Sequence, residues 1–360
     1  MRTPQNRPLC QIIFIEEPEV HLHAQVQQTF IRNIWEVIER SAQAEDAGDL
    51  IPQLIVTTHS SHILDAAEFG KVRYFRRCPL QGEDPVQAKI LNATEVHSLR
   101  DFQPKPVNVD GQIATEAEAL DFLKRYLRLT HCDLFFADAA IIVEGSVEKL
   151  LMPSMIDKAA RRLRSSYLTV LEIGGAYAHR FDELLSFLHI PFLIITDLDS
   201  VDPGGQHPAC RGDKLDALTS NATLKQLLEV NSVADLVALT PEQRQSDESG
   251  RCIAFQQDVV VTDDGNMHTM RPRTLEEAFA YQNFGLVRDG SIDLRATIPE
   301  NLAEAYEAIY QQVRSGSFKK TDFAMDVLAN TADWQVPNYI AEGLRWLEHR
   351  LHGPAEDGQA

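Results

Sequence analysis

Two apolar runs, IIVEGSVE at residues 141–148 and FLIITDLDS at 192–200, each end on acidic side chains: Glu144 and Glu148, then Asp197 and Asp199. Carboxylates are hard oxygen ligands, suited to Mg²⁺ or Mn²⁺ rather than to zinc. Strands of an α/β sheet that deliver them at their C-terminal ends put them on the face where such folds gather ligands. Two ions held roughly 3.5 to 4 Å apart can activate water and stabilise a leaving oxygen, which is what phosphodiester hydrolysis requires. Local spacing supports this reading. Gly145 lets the backbone turn tightly beside Glu144. The i, i+4 interval puts Glu144 and Glu148 on a common face at a helix start, where the macrodipole favours anions. An extended DLD segment would point Asp197 and Asp199 to the same side.

The elements that must hold these residues are legible in the hydrophobic pattern. From residue 134 the chain reads strand (AAIIVEG), helix (SVEKLLMPSMIDKAARRL), strand (LTVLEIGG), helix (HRFDELLSFLHI) and strand (PFLIITDLD), a doubly wound α/β order. A polar excursion over about 204–250 interrupts it, giving a catalytic domain over 134–300 and a helical C-terminal region over 301–360. Ahead of it, IIFI, a long amphipathic helix, the linker AQAEDAGDLIP and QLIVTTHS form a β, α, β series expected of a parallel sheet, followed by KVRYFRR. This front domain spans 1–105, and a linker helix over 106–133 joins the two.

Composition sets the bounds. The 360 residues are 44% hydrophobic and 24% charged, an ordinary globular balance with room for two or three domains. No apolar run approaches the roughly 20 residues of a membrane span and no signal-peptide core stands at the N-terminus, so a cytoplasmic protein without a membrane partner is expected. Five scattered cysteines, none spaced CxxC, give neither a disulfide framework nor a zinc knuckle. A net charge of −19 argues against broad electrostatic adhesion to nucleic acid, although basic clusters remain at 71–77, 161–164 and 271–273. Bound metal would also reverse the sign of an acidic pocket.

The combination of EGxxE after an apolar strand, EIGG at 172–175 and hhhTDxD resembles the Toprim (topoisomerase/primase) domain over about residues 136–285. RPRTLEEAF at 271–279 and FKKTDFA at 318–324 are similar to the late acidic and lysine motifs of the OLD (overcoming lysogenisation defect) family nucleases. The resemblance implies a metal-dependent DNA endonuclease, serving phage defence or DNA processing. It assigns Glu144, Glu148, Asp197, Asp199 and Glu276 to two Mg²⁺ or Mn²⁺ ions and Lys320 to the scissile phosphate, with Glu144, Asp197 and Lys320 forming the catalytic set. Glu277 and Lys319 are adjacent alternatives to Glu276 and Lys320. Two other Toprim activities fit less well: strand passage needs a tyrosine on a DNA-gate domain, and primases commonly add a Cys/His zinc module.

The front segment resembles part of an ABC-type ATPase of the chromosome-maintenance and break-repair kind. IIFIEEPEVHLH has the form of a Walker B strand with its D-loop, and QLIVTTHSSHIL that of a switch-histidine strand. By that likeness Glu16 orients Mg²⁺, Glu17 polarises the attacking water and His59 senses the γ-phosphate of ATP. Glu16 replaces the commoner Asp, as in OLD-type sequences. His21 and His23, with His59 and His62, could be read as a zinc set, but no cysteine accompanies them. No GxxxxGK[ST] loop and no LSGG signature is present, so the chain reads as the rear half of an ATPase joined to a Toprim nuclease. ATP is then a cofactor only if a Walker A half is supplied in trans. DNA is the expected partner, with a homodimer, a separate ATPase front half or a helicase as further ones. The competing reading is a non-catalytic ATPase remnant that binds DNA or regulates a partner.

Overall fold

The computed structural model describes residues 11–44, 52–79, 92–105, 107–109, 112–130, 132–174 and 177–354. Cys10, most of the 42–52 linker, Pro106 and Gly175 of the EIGG run therefore lie outside the described residues. The chain divides into two compact units, Met1–Phe136 and Ala137–Ala360.

In the first unit β1 (Ile12–Glu16) and β2 (Gln53–Thr57) run parallel, with Ile12 opposite Gln53 and Glu16 opposite Thr57, and α1 (Ala24–Ala44) makes the crossover. The short α2 (Ser61–Ala66) is capped by Ser60, whose side chain accepts from the N–H groups of His62 and Ile63. β3 (Arg73–Pro79) pairs antiparallel with β4 (Asn92–Ser98), and β5 (Val107–Val109) with β6 (Gln112–Ala114), before α3 (Glu116–Thr130). The β1–β2 ribbon is thinly covered: Phe14 is 70% exposed and Ile12 46%.

The second unit is built on a five-stranded sheet in the order β12-β13-β9-β7-β8. β7 (Ala139–Val143), β8 (Leu168–Glu172), β9 (Phe192–Ile195) and β13 (Arg251–Ala254) are parallel, and β12 (Gln245–Ser246) closes one edge antiparallel. Every residue of β7 and β9 is buried, as a continuous Ala/Ile/Val/Leu run requires when helices cover both faces. α4 (Ser146–Ala159) buries Val147, Leu151 and Met155, four residues apart on one face. It stops at Ala160, whose backbone leaves helical geometry (φ −154, ψ 64), and a 3₁₀ turn over Arg161–Ser165 follows in place of one long helix through RRL. α5 (His179–Phe187) connects β8 to β9.

The polar excursion between β9 and β12 carries β10 (Ser200–Val201), β11 (Leu218–Thr219), α6 (Ala222–Leu227) and α7 (Val233–Val237). After β13 come the hairpin β14 (Val259–Asp263) and β15 (Asn266–Met270), then α8 (Leu275–Gln282), α9 (Phe284–Arg288), α10 (Leu302–Arg314), α11 (Lys320–Ala329) and α12 (Asn338–His352). The last three helices bury Ile309, Ala324, Ile340 and Leu344 in the same core as Ile141 and Leu193. α12 lies directly on the sheet at Gly343, where a Cβ would come within 2.7 Å of Leu193 Cδ1 and 3.1 Å of Ala254 Cβ. Only glycine permits that approach.

Candidate metal and phosphate site

β7 and β9 end side by side, Val143 opposite Ile195, so Glu144 and the Thr196–Asp197 pair emerge together at one rim of the sheet. Glu144 Oε1 accepts three donors: the Thr196 hydroxyl, the Asp197 backbone N–H at 3.0 Å and Asn221 Nδ2 at 2.8 Å. Asp197 is buried and its Oδ1 accepts from Gln256 Nε2 at 2.5 Å. Gln256 Oε1 in turn accepts the Leu198 N–H at 2.7 Å, and Gln256 Nε2 reaches Tyr339 Oη at 3.2 Å.

Glu148 enters from the first turn of α4 and is buried. Gly145 makes room for it, because a Cβ there would stand 3.2 Å from Glu148 Oε2. Glu144 itself precedes the helix, whose N-cap is Gly145, so the pair converges across a turn rather than along a helical face. Glu276, only 1% exposed, enters from the first turn of α8, and Lys320 Nζ on α11 bridges both its oxygens at 3.0 and 3.1 Å. Asp199 departs from the extended geometry expected for DLD: its φ of +48 is left-handed. That turn brings its carboxylate to Arg273 Nη2 at 3.0 Å, while Arg273 Nε donates to the Ser200 carbonyl at 3.1 Å.

Burial lifts the Asp197 carboxyl well above its ordinary range, and the charges of Glu144, Glu148, Asp199 and Glu276 lift it further. Glu144 is raised by burial too, against its three hydrogen bonds and with the Asp199 charge adding to the rise. Glu148 is pushed up to about 7, first by burial and then by Glu276 and Glu144. Partial burial opposes the charge of Lys320, but the carboxylates of Glu276, Asp197 and Glu148 outweigh it and raise its pKa. Five acids thus face one another with Lys320 and Arg273 as the cations paired directly to them. An all-oxygen set with surplus negative charge fits divalent cations, which would hold these groups ionised.

The structure brings together every acid expected from the second unit's motifs, and it separates the adjacent alternatives. Glu277 is fully buried but turns to accept the Arg273 N–H at 2.9 Å, and Lys319 Nζ donates to the Gly316 carbonyl at 3.3 Å. Burial pushes Glu277 up to about 7. Asn221, Gln256, Thr196 and Arg273 were not singled out by sequence as members of the site. The basic clusters are largely tied to acids: Arg162 to Glu348, Arg164 to Asp157, Arg271 to Asp258 and Arg273 to Asp199. Glu172 of the EIGG run closes β8 with an exposed side chain.

In the first unit Glu16 ends β1 and Glu17 turns out of it with a left-handed φ of +41. Its N–H donates to the Thr57 carbonyl at 3.0 Å, and its carboxylate meets His59 Nε2 at 3.4 Å. Glu19, which sequence did not single out, accepts the His59 N–H at 2.6 Å. His21 closes a 3₁₀ turn over Pro18–His21, His23 directly precedes α1, and the N–H of His62 is spent on Ser60.

Residues 135–199 match the sequence profile of the overcoming lysogenization defect protein-like TOPRIM domain, and residues 3–64 that of an AAA ATPase domain. Endonuclease GajA of Bacillus cereus (strain HuB5-5) is 30% identical over 364 aligned residues, covering 95% of this chain and 49% of that protein. The OLD nuclease of Thermus scotoductus (strain ATCC 700910 / SA-01) is 23% identical over 188 residues, 52% of this chain and 30% of that protein. The solved C-terminal region of the Burkholderia pseudomallei OLD protein covers 60% of this chain and 99% of its own, at 19% identity and a TM-score of 0.36. The chain therefore spans about half the length of the first of these relatives. With an AAA ATPase segment followed by an OLD-like TOPRIM domain, it carries the two domains that these profiles match and is similar in sequence to OLD-type nucleases.

Proposed function

We propose that the second unit is a metal-dependent DNA endonuclease centre in which Glu144, Glu148, Asp197, Asp199 and Glu276 hold two Mg²⁺ or Mn²⁺ ions beside Lys320. The observation that carries this is the convergence on one rim of half-buried Glu144 after β7 with buried Glu148 of α4, Asp197 after β9 and Glu276 of α8, with the Lys320 ammonium against Glu276. The names of the similar proteins, Endonuclease GajA and OLD nuclease, support phosphodiester hydrolysis of nucleic acid as the reaction class. When bound, such ions supply an acidified water and charge neutralisation at the scissile phosphate. The chain's own residues do the rest. Glu144 and Asp197 orient their carboxylates through fixed hydrogen bonds, and Gly145 leaves a gap that a larger residue would close. Lys320, half exposed and firmly protonated, offers a positive donor to a phosphate oxygen as charge develops on it. Glu16, Glu17 and His59 act as an ATP-responsive element only together with a Walker A segment, a motif these 360 residues do not contain, and a second copy of the chain, a separate ATPase front half or a helicase is a further partner.

The test is nicking of supercoiled plasmid by the purified chain in Mg²⁺ or Mn²⁺, without ATP, beside EDTA and Asp197→Ala. Metal-dependent nicking that disappears in the folded variant is expected. Nicking that survives Asp197→Ala would overturn this site.

A further inference from the structure

We infer that Asn221 and Gln256 are positioning residues that engage one oxygen each of Glu144 and Asp197, so that each carboxylate presents its other oxygen as the freer ligand and the site favours small octahedral cations over Ca²⁺. This rests on the metal-site reading above.

Both side chains are buried, at 4% and 0% exposure, and the orientation of each amide is dictated by backbone donors. Asn221 Oδ1 accepts the N–H groups of Thr223 at 2.9 Å and Leu224 at 3.2 Å as the cap of α6. Its amide nitrogen must then face the other way, where it lies 2.8 Å from Glu144 Oε1, 2.7 Å from Thr196 Oγ1 and 2.9 Å from the Asp197 carbonyl. Gln256 repeats the device on the neighbouring ligand: the Leu198 N–H fixes its oxygen, and its nitrogen is left to face Asp197 Oδ1 at 2.5 Å. Capping alone would not explain Asn221, since Ser or Asp caps as well without any donor toward Glu144. Nor would packing explain a buried glutamine whose two ends meet a backbone N–H and a carboxylate.

The consequence concerns coordination. A carboxylate oxygen has about two lone-pair sites. Glu144 Oε1 already takes three donors, so its capacity for metal lies at Oε2; Asp197 Oδ1 takes one donor, from Gln256, which leaves Oδ2 its less encumbered oxygen. Ca²⁺ takes six to eight oxygens and uses bidentate carboxylates readily, whereas Mg²⁺ demands an octahedron to which each carboxylate gives one oxygen. Amides that tie up the second oxygen therefore weigh against Ca²⁺.

The experiment is thermal melting of the full chain titrated separately with Mg²⁺, Mn²⁺ and Ca²⁺, for the wild type, Asn221→Ser and Gln256→Met. Serine keeps the α6 cap but is too short to reach Glu144, and methionine keeps the volume of glutamine without its donor. In each variant the Mg²⁺ midpoint should rise about tenfold, the low end of the range for removing a ligand's hydrogen-bond partner. The Ca²⁺ midpoint should rise less, so that the Mg²⁺-to-Ca²⁺ preference narrows, and most in Gln256→Met, where Asp197 Oδ1 loses its donor, since Glu144 Oε1 keeps Thr196 and the Asp197 N–H in Asn221→Ser. Midpoints that stay put, or that shift by one common factor for all three ions, would overturn the inference, as would loss of the metal-free fold in both variants. A wild type whose melting ignores all three ions would instead remove the metal site itself.

Discussion

Each unit ends a parallel strand on acidic residues, and the two outcomes differ. At the end of β1, Glu17 and His59 meet at 3.4 Å with side chains 45% and 79% exposed, above a ribbon that leaves Phe14 in solvent. At the ends of β7 and β9, Glu148 and Asp197 are each 7% exposed and Glu276 1%, and burial there drives carboxyl groups far from their ordinary titration. The same local grammar, an apolar strand then an acid, becomes a charged pocket only where further layers cover it. In the second unit those layers are α4, α8, α11 and α12; in the first, β1 and β2 form a two-stranded ribbon and the Glu17 and His59 side chains at its end stay exposed. An acid on an open ribbon is solvated by water, whereas one under a layer must find protein donors or cations.

The comparison can be broken first at its most charged point. Lys320→Ala should lower plasmid nicking by about a hundredfold or more while leaving the fold intact, the scale seen when one preorganised electrostatic donor is removed; a loss under threefold would mean that the ammonium only neutralises Glu276. A core substitution sharpens the contrast in cover. Ile141→Ala, at a position with 0% exposure, should cost about 2–5 kcal/mol in denaturant unfolding, and Phe14→Ser in the first unit within about 0.5 kcal/mol. Next comes pH. Glu277 is pushed up to about 7 in the fold, so between about pH 4.5 and pH 7 the folded chain holds a proton that the unfolded chain has released. Stability from this group is therefore present at low pH and lost as pH rises through that window. Glu277→Gln should flatten the fall of melting temperature over that range, and an unchanged slope would place the titration elsewhere. The smallest effect belongs to the exposed pair: Glu17→Gln and His59→Ala should each change ATP-free nicking by less than about twofold, a dependence larger than that tying the first unit to cleavage.

Much of this could be read before any coordinates. The doubly wound order of the second unit follows from apolar strands alternating with helices, and the acids at 144, 148, 197 and 199 stand out because they follow closely on the ends of those strands. Three things could not be read. Glu276 and Glu277 are neighbours with the same chemistry, and only the rotation of α8 sends one toward Lys320 and the other toward the Arg273 N–H. Asp199 looks extended in sequence but is turned by a left-handed backbone and held by Arg273. Asn221 is visible as a helix cap before ATLKQLL, yet its other face meets Glu144 across 77 positions of chain, and Gln256 meets Asp197 across 59. Such pairings are made by tertiary packing and leave no periodic trace.

Gly343 lets α12 settle on β9 and β13, and the same helix sets Tyr339 against Gln256. In the order of synthesis Glu144, Glu148, Asp197 and Glu276 are all made before Lys320 and Tyr339. Contacts so distant in sequence form late, because the intervening chain must first be ordered. A nascent polypeptide that carries the acids but lacks the covering helix holds them without a roof and without Lys320, so on the ribosome, or after premature termination, the proposed centre stays unassembled until the last layer is complete.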